Sequence, residues 1–302
     1  MQDISREILA HYQVRKRRAD KDRFLDFLKS QGIEGTVEEK GGFPNCKNYV
    51  VGDPATAKVL ITAHYDTCAR MPVPNIVFPK SVLLSLLYGV LLAVPFVAVM
   101  LGAQWVLSFI PVGPLAKLLM DEALMLLMLG ALLFMTMGPI ANRHTANDNT
   151  SGVVTLVELI RTLSPEQREK VAFVFFDHEE NGLLGSAYYR KRHRAEIAGQ
   201  LIVNLDCVSD GDHLLVYAKN ADAYRLYDIF ESGDGATVHY EKRAFYPSDQ
   251  MGFPRAVALS FFKKGRLGLY MTRIHTDRDT VFEEKNIDYL CAGLTEFLTR
   301  LS

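Results

Sequence analysis

Two long uncharged segments constrain the fold of this chain more than any other feature. No charged residue occurs from Ser81 to Ala116 or from Ala123 to Asn142, and Leu, Val, Met, Ala and Phe dominate both runs. Each run reaches the roughly 20 residues that an apolar helix needs to cross a bilayer. We predict two helices, from about Lys80 to Ile110 and onward to about Met137, with a kink at Pro95. Together they predict an inserted hydrophobic α-helical hairpin.

The sequence on both sides of the hairpin alternates between strand and helix patterns. This alternation predicts an α/β fold, a three-layer α/β/α sandwich with a mostly parallel mixed sheet. We expect residues 1–75 and 143–302 to form one domain, with residues 76–142 inserted as the hydrophobic, membrane-spanning hairpin. Residues 1–32 read as a helix, and its basic cluster from Arg15 to Arg18 fits either contact with anionic lipid or a solvated helix face.

Charge and cysteine usage exclude some functional classes. The 302 residues carry a formal net charge of −1, and no basic groove or zinc-finger spacing occurs, so we expect no nucleic-acid partner. The four scattered cysteines indicate free thiols in a reducing compartment. The N-terminus lacks the apolar core of a secretory signal peptide. We therefore expect a membrane-associated protein whose α/β domain stays in the cytoplasm.

Polar residues follow several predicted strands at the point where each strand ends. The ends of parallel strands line the ligand crevice of an open α/β sheet. Singly, each residue has an ordinary interpretation: a hydrogen-bonded His, a solvated Glu-Glu pair, or a helix cap at Asp148. Their joint occurrence predicts a site for two divalent ions, which imidazole and carboxylate groups bind well. The residues are His64, Asp66, Asp148, Glu179, Glu180, Asp206 and His275.

Five short motifs carry a resemblance to a known family. AHYDT, ANDNTSGV, FDHEENGLLGS, NLDCV and IHTDRDT occur in this order, and the set resembles the M28 family of zinc-dependent aminopeptidases. H-E-x-x-H, G-x-S-x-G and P-loop patterns are absent. The family's usual link between the first two motifs is a short loop, whereas here the hairpin separates them. Because His64 and Asp148 must meet in one site, we expect the chain to return to the side that it left.

The resemblance implies a role for each matching residue. Asp148 would bridge two divalent ions, with zinc expected, and Glu179 would be the general base that activates a metal-bound water. Asp66 would orient the imidazole of His64. Asp279 is a candidate for orienting His275, and Ser248, Asp249 and Phe253 match a segment that borders the substrate pocket. His64 and Asp206 would complete one metal site, and Glu180 and His275 the other.

The implied activity is removal of N-terminal residues from peptides, and two other interpretations stay open. One is a related amidohydrolase or a glutaminyl cyclase, although five ligands favour two metals over the single zinc of the cyclases. The other is a non-catalytic membrane-bound binding module. The hairpin, residues 80–140, is expected to contact the lipid bilayer. The alternatives for it are an apolar lid or an oligomerisation element, so homo-oligomers also stay open.

Overall fold

The computed structural model describes residues 1–42, 44–218, 222–242, 244 and 246–301. The strands within this part of the chain are Thr36–Lys40 (β1), Cys46–Val51 (β2), Val59–His64 (β3), Val171–Phe176 (β4), Leu201–Leu205 (β5), His213–Tyr217 (β6), Thr237–Glu241 (β7), Ala256–Gly265 (β8) and Gly268–Tyr270 (β9). The α-helices are Asp3–His11 (α1), Arg18–Ser30 (α2), Val82–Leu107 (α3), Pro114–Met137 (α4), Gly152–Thr162 (α5), Pro165–Arg168 (α6), Leu184–Arg192 (α7), Asp222–Glu231 (α8) and Glu284–Thr299 (α9).

The strands form one mixed sheet in the order β1-β2-β4-β3-β5-β8-β6-β7, with β9 beside β8. The central strands β4, β3, β5 and β8 run parallel, as do β6 and β7. Antiparallel pairs join β1 to β2, β2 to β4, and β8 to β6 and β9. The central β3 is buried at every position, which explains its nearly continuous apolar sequence. The predicted mixed α/β sheet is confirmed.

Helices cover the sheet on both faces because successive side chains of a buried strand point in opposite directions. In β4, Phe173 and Phe175 face the larger core, which includes residues of α1, α2, α5, α8 and α9. Val174 and Phe176 face the other side and pack with Tyr189 of α7. The result is the expected three-layer arrangement, with more helices on one face.

The predicted single helix over residues 1–32 is wrong, because the chain forms two helices with a break at residues 12–17. Arg15 lies in this break and is fully buried. Its Nε donates a hydrogen bond of 2.5 Å to the Tyr65 carbonyl, and its guanidinium contacts Thr150 Oγ1 at 3.1 Å. Neither lipid contact nor a solvated face therefore describes Arg15, although Arg17 and Arg18 are exposed. Strand β1 was not predicted, since its charged sequence is typical of an edge strand.

The hydrophobic hairpin consists of α3 and α4, and neither helix has a buried residue. Both helices are long and apolar enough to cross a membrane, and Pro95 lies inside α3. A backbone bridge between Ala69 and Ala141 closes the base of the hairpin. The insertion therefore leaves and re-enters the α/β fold at one place. An ion pair of 2.5 Å between Lys80 and Glu241 joins the start of the hairpin to β7.

Candidate metal centre

The residues expected at the site come from segments that follow neighbouring strands. His64 is the last residue of β3, Glu179 and Glu180 follow β4, and Asp206 follows β5. His275 lies in the loop after β9. Because β3, β4 and β5 are parallel neighbours, their carboxyl ends meet at one edge of the sheet.

Asp148 lies at the centre of this group, in the irregular helical turn Ala146–Ser151 that precedes α5. Its Oδ1 is 3.3 Å from His64 Nε2, and its Oδ2 is 3.0 Å from His275 Nε2. His64 Nε2 also lies 3.7 Å from Asp206 Oδ1, and His275 Nε2 lies 3.3 Å from Glu180 Oε2. One oxygen of Asp148 thus faces each of two ligand pairs, which is the geometry that a bridging carboxylate requires.

The described part of the chain contains three groups of candidate metal ligands, and within each group the ligand atoms lie within 4.8 Å of one another. Two of them are built from residues expected from the sequence: His64 with Asp148 and Asp206, and His64 with Glu179 and Glu180. The third joins Glu180 and His275 to Cys68, a buried thiol that sequence reasoning had treated only as free. Cys68 follows the AHYDT motif directly, and that position was the only signal available in the sequence.

The carboxylate of Asp66 positions the two adjacent glutamates. Its Oδ1 accepts a hydrogen bond of 3.0 Å from the Glu179 N–H, and its Oδ2 accepts one of 3.3 Å from the Glu180 N–H. The hydrogen bond between Asp66 and His64 uses the backbone carbonyl of Asp66 and not its carboxylate. His64 Nδ1 lies 3.1 Å from that carbonyl oxygen and 3.6 Å from the carboxylate. Asp66 therefore orients the imidazole through its main chain and the glutamates through its side chain.

Asp279 plays the corresponding part for Asp148. Its Oδ1 accepts a hydrogen bond of 2.8 Å from the Asn147 N–H, and its Oδ2 accepts one of 3.0 Å from the Asp148 N–H. These bonds use both oxygens, so the side chain holds the loop of the bridging residue. The sequence suggested that Asp279 would orient His275. Among the described residues, however, the hydrogen bonds to its carboxylate come from Asn147 and Asp148 and not from His275.

The side chains of Asn147 and Asn149 hold the loop around Asp148 by hydrogen bonds. The carboxylate of Asp148 is thereby left to face the two histidines. Asn149 Oδ1 accepts hydrogen bonds from the N–H groups of Gly152 and Cys207, at 3.0 and 3.2 Å. The side chain of Asn149, and not that of Asp148, therefore accepts the N–H of Gly152, the first residue of α5. A Cβ at position 152 would lie 2.5 Å from Asn149 Oδ1 and 2.7 Å from the Leu205 carbonyl. This close approach explains the glycine.

Left-handed backbone conformations occur at or beside the site. Among the described residues, non-glycine residues with positive φ include His275 (61°), Cys207 (56°) and His178 (55°). Cys207 directly follows Asp206, and His178 directly precedes Glu179. Such conformations are uncommon outside glycine, and they concentrate at functional sites because the surrounding structure must hold them.

Burial and charge together change the pKa values of the site. Burial raises the pKa of Glu180 to about 8 and raises that of Glu179 well above its usual range. Burial alone would raise the pKa of Asp148, but its contacts with His275 and His64 lower it. Glu180 and Asp148 raise the pKa of His275 to about 9 against the effect of burial. The neighbouring carboxylates therefore favour the protonated form of His275.

The residues fit divalent metal ions. Glu180 Oε1 is buried and has no hydrogen-bond partner among the described residues, and such an orphaned oxygen is costly unless a cation or donor meets it. Two imidazoles and three carboxylates supply the nitrogen and oxygen ligands that zinc prefers. Binding of cations would replace the imidazole protons as the source of positive charge.

A cavity of about 270 Å³ opens onto these groups. Besides the candidate ligands and Glu179, it is lined by Asn75, Val77, Tyr246, Pro247 and Ile274. The segment YPSDQMGFP borders it through Tyr246 and Pro247. The three residues singled out in that segment lie behind this wall: Ser248 accepts a hydrogen bond of 3.0 Å from Asn204, Asp249 is buried, and Phe253 packs against Phe176.

Comparison with known proteins gives one family and a set of similar folds. The model of peptidase family M28 matches residues 133–289, more than half of the chain, and no curated protein matches. The LapA aminopeptidase of Legionella pneumophila is 14% identical, with 99% of this chain and 70% of that chain covered and a TM-score of 0.56. The glutaminyl cyclase of Fimbriiglobus ruber is 15% identical, with 98% and 94% covered and a TM-score of 0.58. The TET1 peptidase of Pyrococcus horikoshii is 13% identical, with 98% and 100% covered and a TM-score of 0.50.

At these identities the structural matches show the fold alone, which is the fold of aminopeptidases and glutaminyl cyclases. The family match is more specific, and the chain belongs to peptidase family M28. The resemblance inferred from the five motifs is thereby confirmed. Family membership and the aminopeptidase neighbours support a peptidase.

Proposed function

We propose that this chain is a two-metal aminopeptidase that removes N-terminal residues from peptides. The observation that carries the proposal is the placement of Asp148, whose two oxygens face His64 and His275 at 3.3 and 3.0 Å. His64, Asp148 and Asp206 would hold one divalent ion, and Asp148, Glu180 and His275 the other. Zinc is the ion that the donor set suits best.

The protein side of the reaction follows from the placement of Glu179. When bound, the two cations would activate water and polarise the scissile carbonyl. Glu179 is half-buried beside His64 and Glu180, and its side chain lines the cavity. It takes a proton from the attacking water and delivers that proton to the leaving amine nitrogen as the C–N bond breaks. The products are a free amino acid and a shortened peptide.

Glutaminyl cyclisation is the second candidate, because the cyclase of Fimbriiglobus ruber has a similar fold with a TM-score of 0.58. The two reactions need different substrates. The cyclase reaction joins the N-terminal amine of a glutaminyl peptide to its own side-chain carbonyl and releases ammonia. Peptide hydrolysis releases the first amino acid.

One experiment separates these activities. The purified full chain is assayed, zinc-loaded and after chelation, against free aminoacyl-anilides, their N-acetylated counterparts and a glutaminyl peptide. We expect chelator-sensitive cleavage of the free anilides only. Cleavage of the blocked anilides would favour the amidohydrolase, ammonia release from the glutaminyl peptide would favour the cyclase, and inactivity on all three would favour a binding module.

We further propose that residues 76–142 form a separate membrane-inserting unit on a catalytic domain of residues 1–75 and 143–302. The support is that α3 and α4 present apolar side chains and bury none of them. A continuous exposed apolar surface of this size requires a bilayer or another protein to cover it. Lys80 and Arg143 flank the hairpin on the side of the catalytic domain, which favours a cytoplasmic domain by the positive-inside rule.

A further inference from the structure

The segment that leads into the hairpin, residues 70–80, is named here the entry arm. It is fastened to the part of the chain that carries His275. The Met71 N–H donates to the His275 carbonyl at 2.7 Å, and Val77 exchanges two backbone hydrogen bonds with Met271, at 2.9 and 3.0 Å. The entry arm is therefore fixed relative to one of the candidate metal ligands.

The entry arm also supplies part of the cavity wall. Asn75 and Val77 line the cavity together with Tyr246 and Ile274. Val77 packs, partly buried, against the small apolar cluster that contains Tyr246 and Ile274. The lining of the cavity thus combines the candidate metal ligands with apolar groups from the entry arm and its partners.

The hairpin helps to place this wall. The Tyr88 hydroxyl of α3 donates to the Pro74 carbonyl, and Lys80 pairs with Glu241 of β7 at 2.5 Å. The first turns of α3, the entry arm and β7 are therefore tied together. This part of the cavity wall therefore has direct contacts with the inserted hairpin.

We propose that the entry arm is a substrate-binding element, in which Val77, with Ile274 and Tyr246, forms a pocket for the apolar side chain of the N-terminal residue. The proposal rests on the aminopeptidase function, which places that residue next to the metal ligands. The whole cavity, about 270 Å³, is large enough for a side chain of leucine size next to the candidate metal ligands. Burying such a side chain favours leucyl over glycyl ligands by about 10- to 100-fold.

The test compares Val77→Trp, which fills the pocket, with Val73→Trp. Val73 lies on the same entry arm but lines a different cavity, beside Arg70 and Asp277, so its variant controls for the effect of a large residue on the arm. Val77→Ala is a milder variant that enlarges the pocket. Circular dichroism establishes that each variant folds.

The readouts are the ratio of kcat/KM for leucyl- and glycyl-anilides and the ratio of Kd for 2-aminoethanol and leucinol, two amino alcohols that cannot be hydrolysed. Both use the zinc-loaded full chain in detergent. We expect each ratio to favour the leucyl compound by about 10-fold or more in the wild type and in Val73→Trp. The ratio should fall towards unity in Val77→Trp and to an intermediate value in Val77→Ala.

The two readouts separate the pocket from the reaction. Discrimination between the amino alcohols without turnover of any anilide would reject the aminopeptidase and keep the pocket. Turnover with unchanged ratios in both Val77 variants would reject the pocket and keep the aminopeptidase. Equal binding of the two amino alcohols by the wild type, or binding of neither, would also overturn the pocket.

Discussion

The Asp279 carboxylate holds Asp148 by its main chain, accepting the Asp148 N–H at 3.0 Å while its other oxygen accepts the Asn147 N–H at 2.8 Å. The side chain of Asp148 is left to face the two histidines. Positioning of a ligand by a second carboxylate commonly contributes 10- to 100-fold to metal affinity. We propose that Asp279 is such a positioning residue for Asp148.

Asp279→Asn should therefore weaken zinc binding by about 10- to 100-fold, because one of the two amide donors loses its acceptor. Competition with a chelating dye measures the affinity. Asp277→Asn is the matched control, since Asp277 is half-exposed and pairs with Arg70. Equal affinities in the two variants would contradict the role given to Asp279.

Glu179→Gln should retain zinc and lose turnover. The substitution keeps the shape of the side chain and removes the group that moves the proton, which is worth about 10²- to 10⁴-fold in kcat. Metal content by elemental analysis and kcat on a leucyl-anilide are the two measurements. A variant that loses zinc in proportion to its activity would instead make Glu179 a ligand.

Charges placed in the hairpin should release the protein from membranes. Val94 and Leu126 lie near the centres of α3 and α4 and are mostly exposed, and a lysine at the centre of a spanning helix costs about 3 kcal/mol. Val94→Lys combined with Leu126→Lys should move the protein from the carbonate-resistant pellet towards the supernatant. Leu267→Lys, at an exposed apolar residue outside the hairpin, should not.

A wild type already found in the supernatant would reject the membrane anchor. In that case, loss of an oligomer in the double variant by gel filtration would indicate that another copy of the chain covers the hairpin.

The stability of the fold should fall in mild acid through His239. Burial lowers the pKa of His239, and Lys80, His213 and Lys264 add to this effect. His213 Nδ1 lies 3.0 Å from His239 Nε2, so the pair shares one hydrogen bond while at least one ring is neutral. Because the folded pKa is below the unfolded value of 6.5, the unfolded state binds more protons as pH falls below that value.

His239 should therefore leave the free energy of unfolding unchanged above pH 6.5 and reduce it below that pH. His239→Gln keeps a hydrogen-bonding side chain without a titrating group, and it should flatten this decrease. Thermal unfolding followed by circular dichroism in detergent, at pH 7.5 and 5.5 for both proteins, gives the comparison. An equal loss of Tm in both would exclude His239 as the cause.

Arg15 should contribute strongly to stability although it lies in the break between α1 and α2. Arg15→Met keeps much of the buried volume but leaves the carbonyls of Tyr12 and Tyr65 without their donor. The expected loss is about 2–4 kcal/mol in the free energy of unfolding, measured by denaturant titration. Arg18→Met, at an exposed position, should change it by less than about 0.5 kcal/mol.

Much of the fold was predictable because local patterns carry it. The apolar runs VLITAH and VAFVFF are typical of buried strands and form β3 and β4, and the uncharged runs predicted α3 and α4. The break between α1 and α2 was not predictable. It depends on the insertion of Arg15 beneath Tyr65 and Thr150, residues that are distant in sequence.

The sequence by itself determined the family, the mixed α/β sheet and the candidate site residues, because each depends on residue types at short, recognisable spacings. Only the tertiary structure decided how those side chains divide their tasks. The carboxylates of Asp66 and Asp279 accept hydrogen bonds from the main chain of the candidate ligands Glu180 and Asp148. Cys68 and Val77 border the site. Such contacts join segments that are far apart in the chain, and they arise only when the sheet brings its strand ends together.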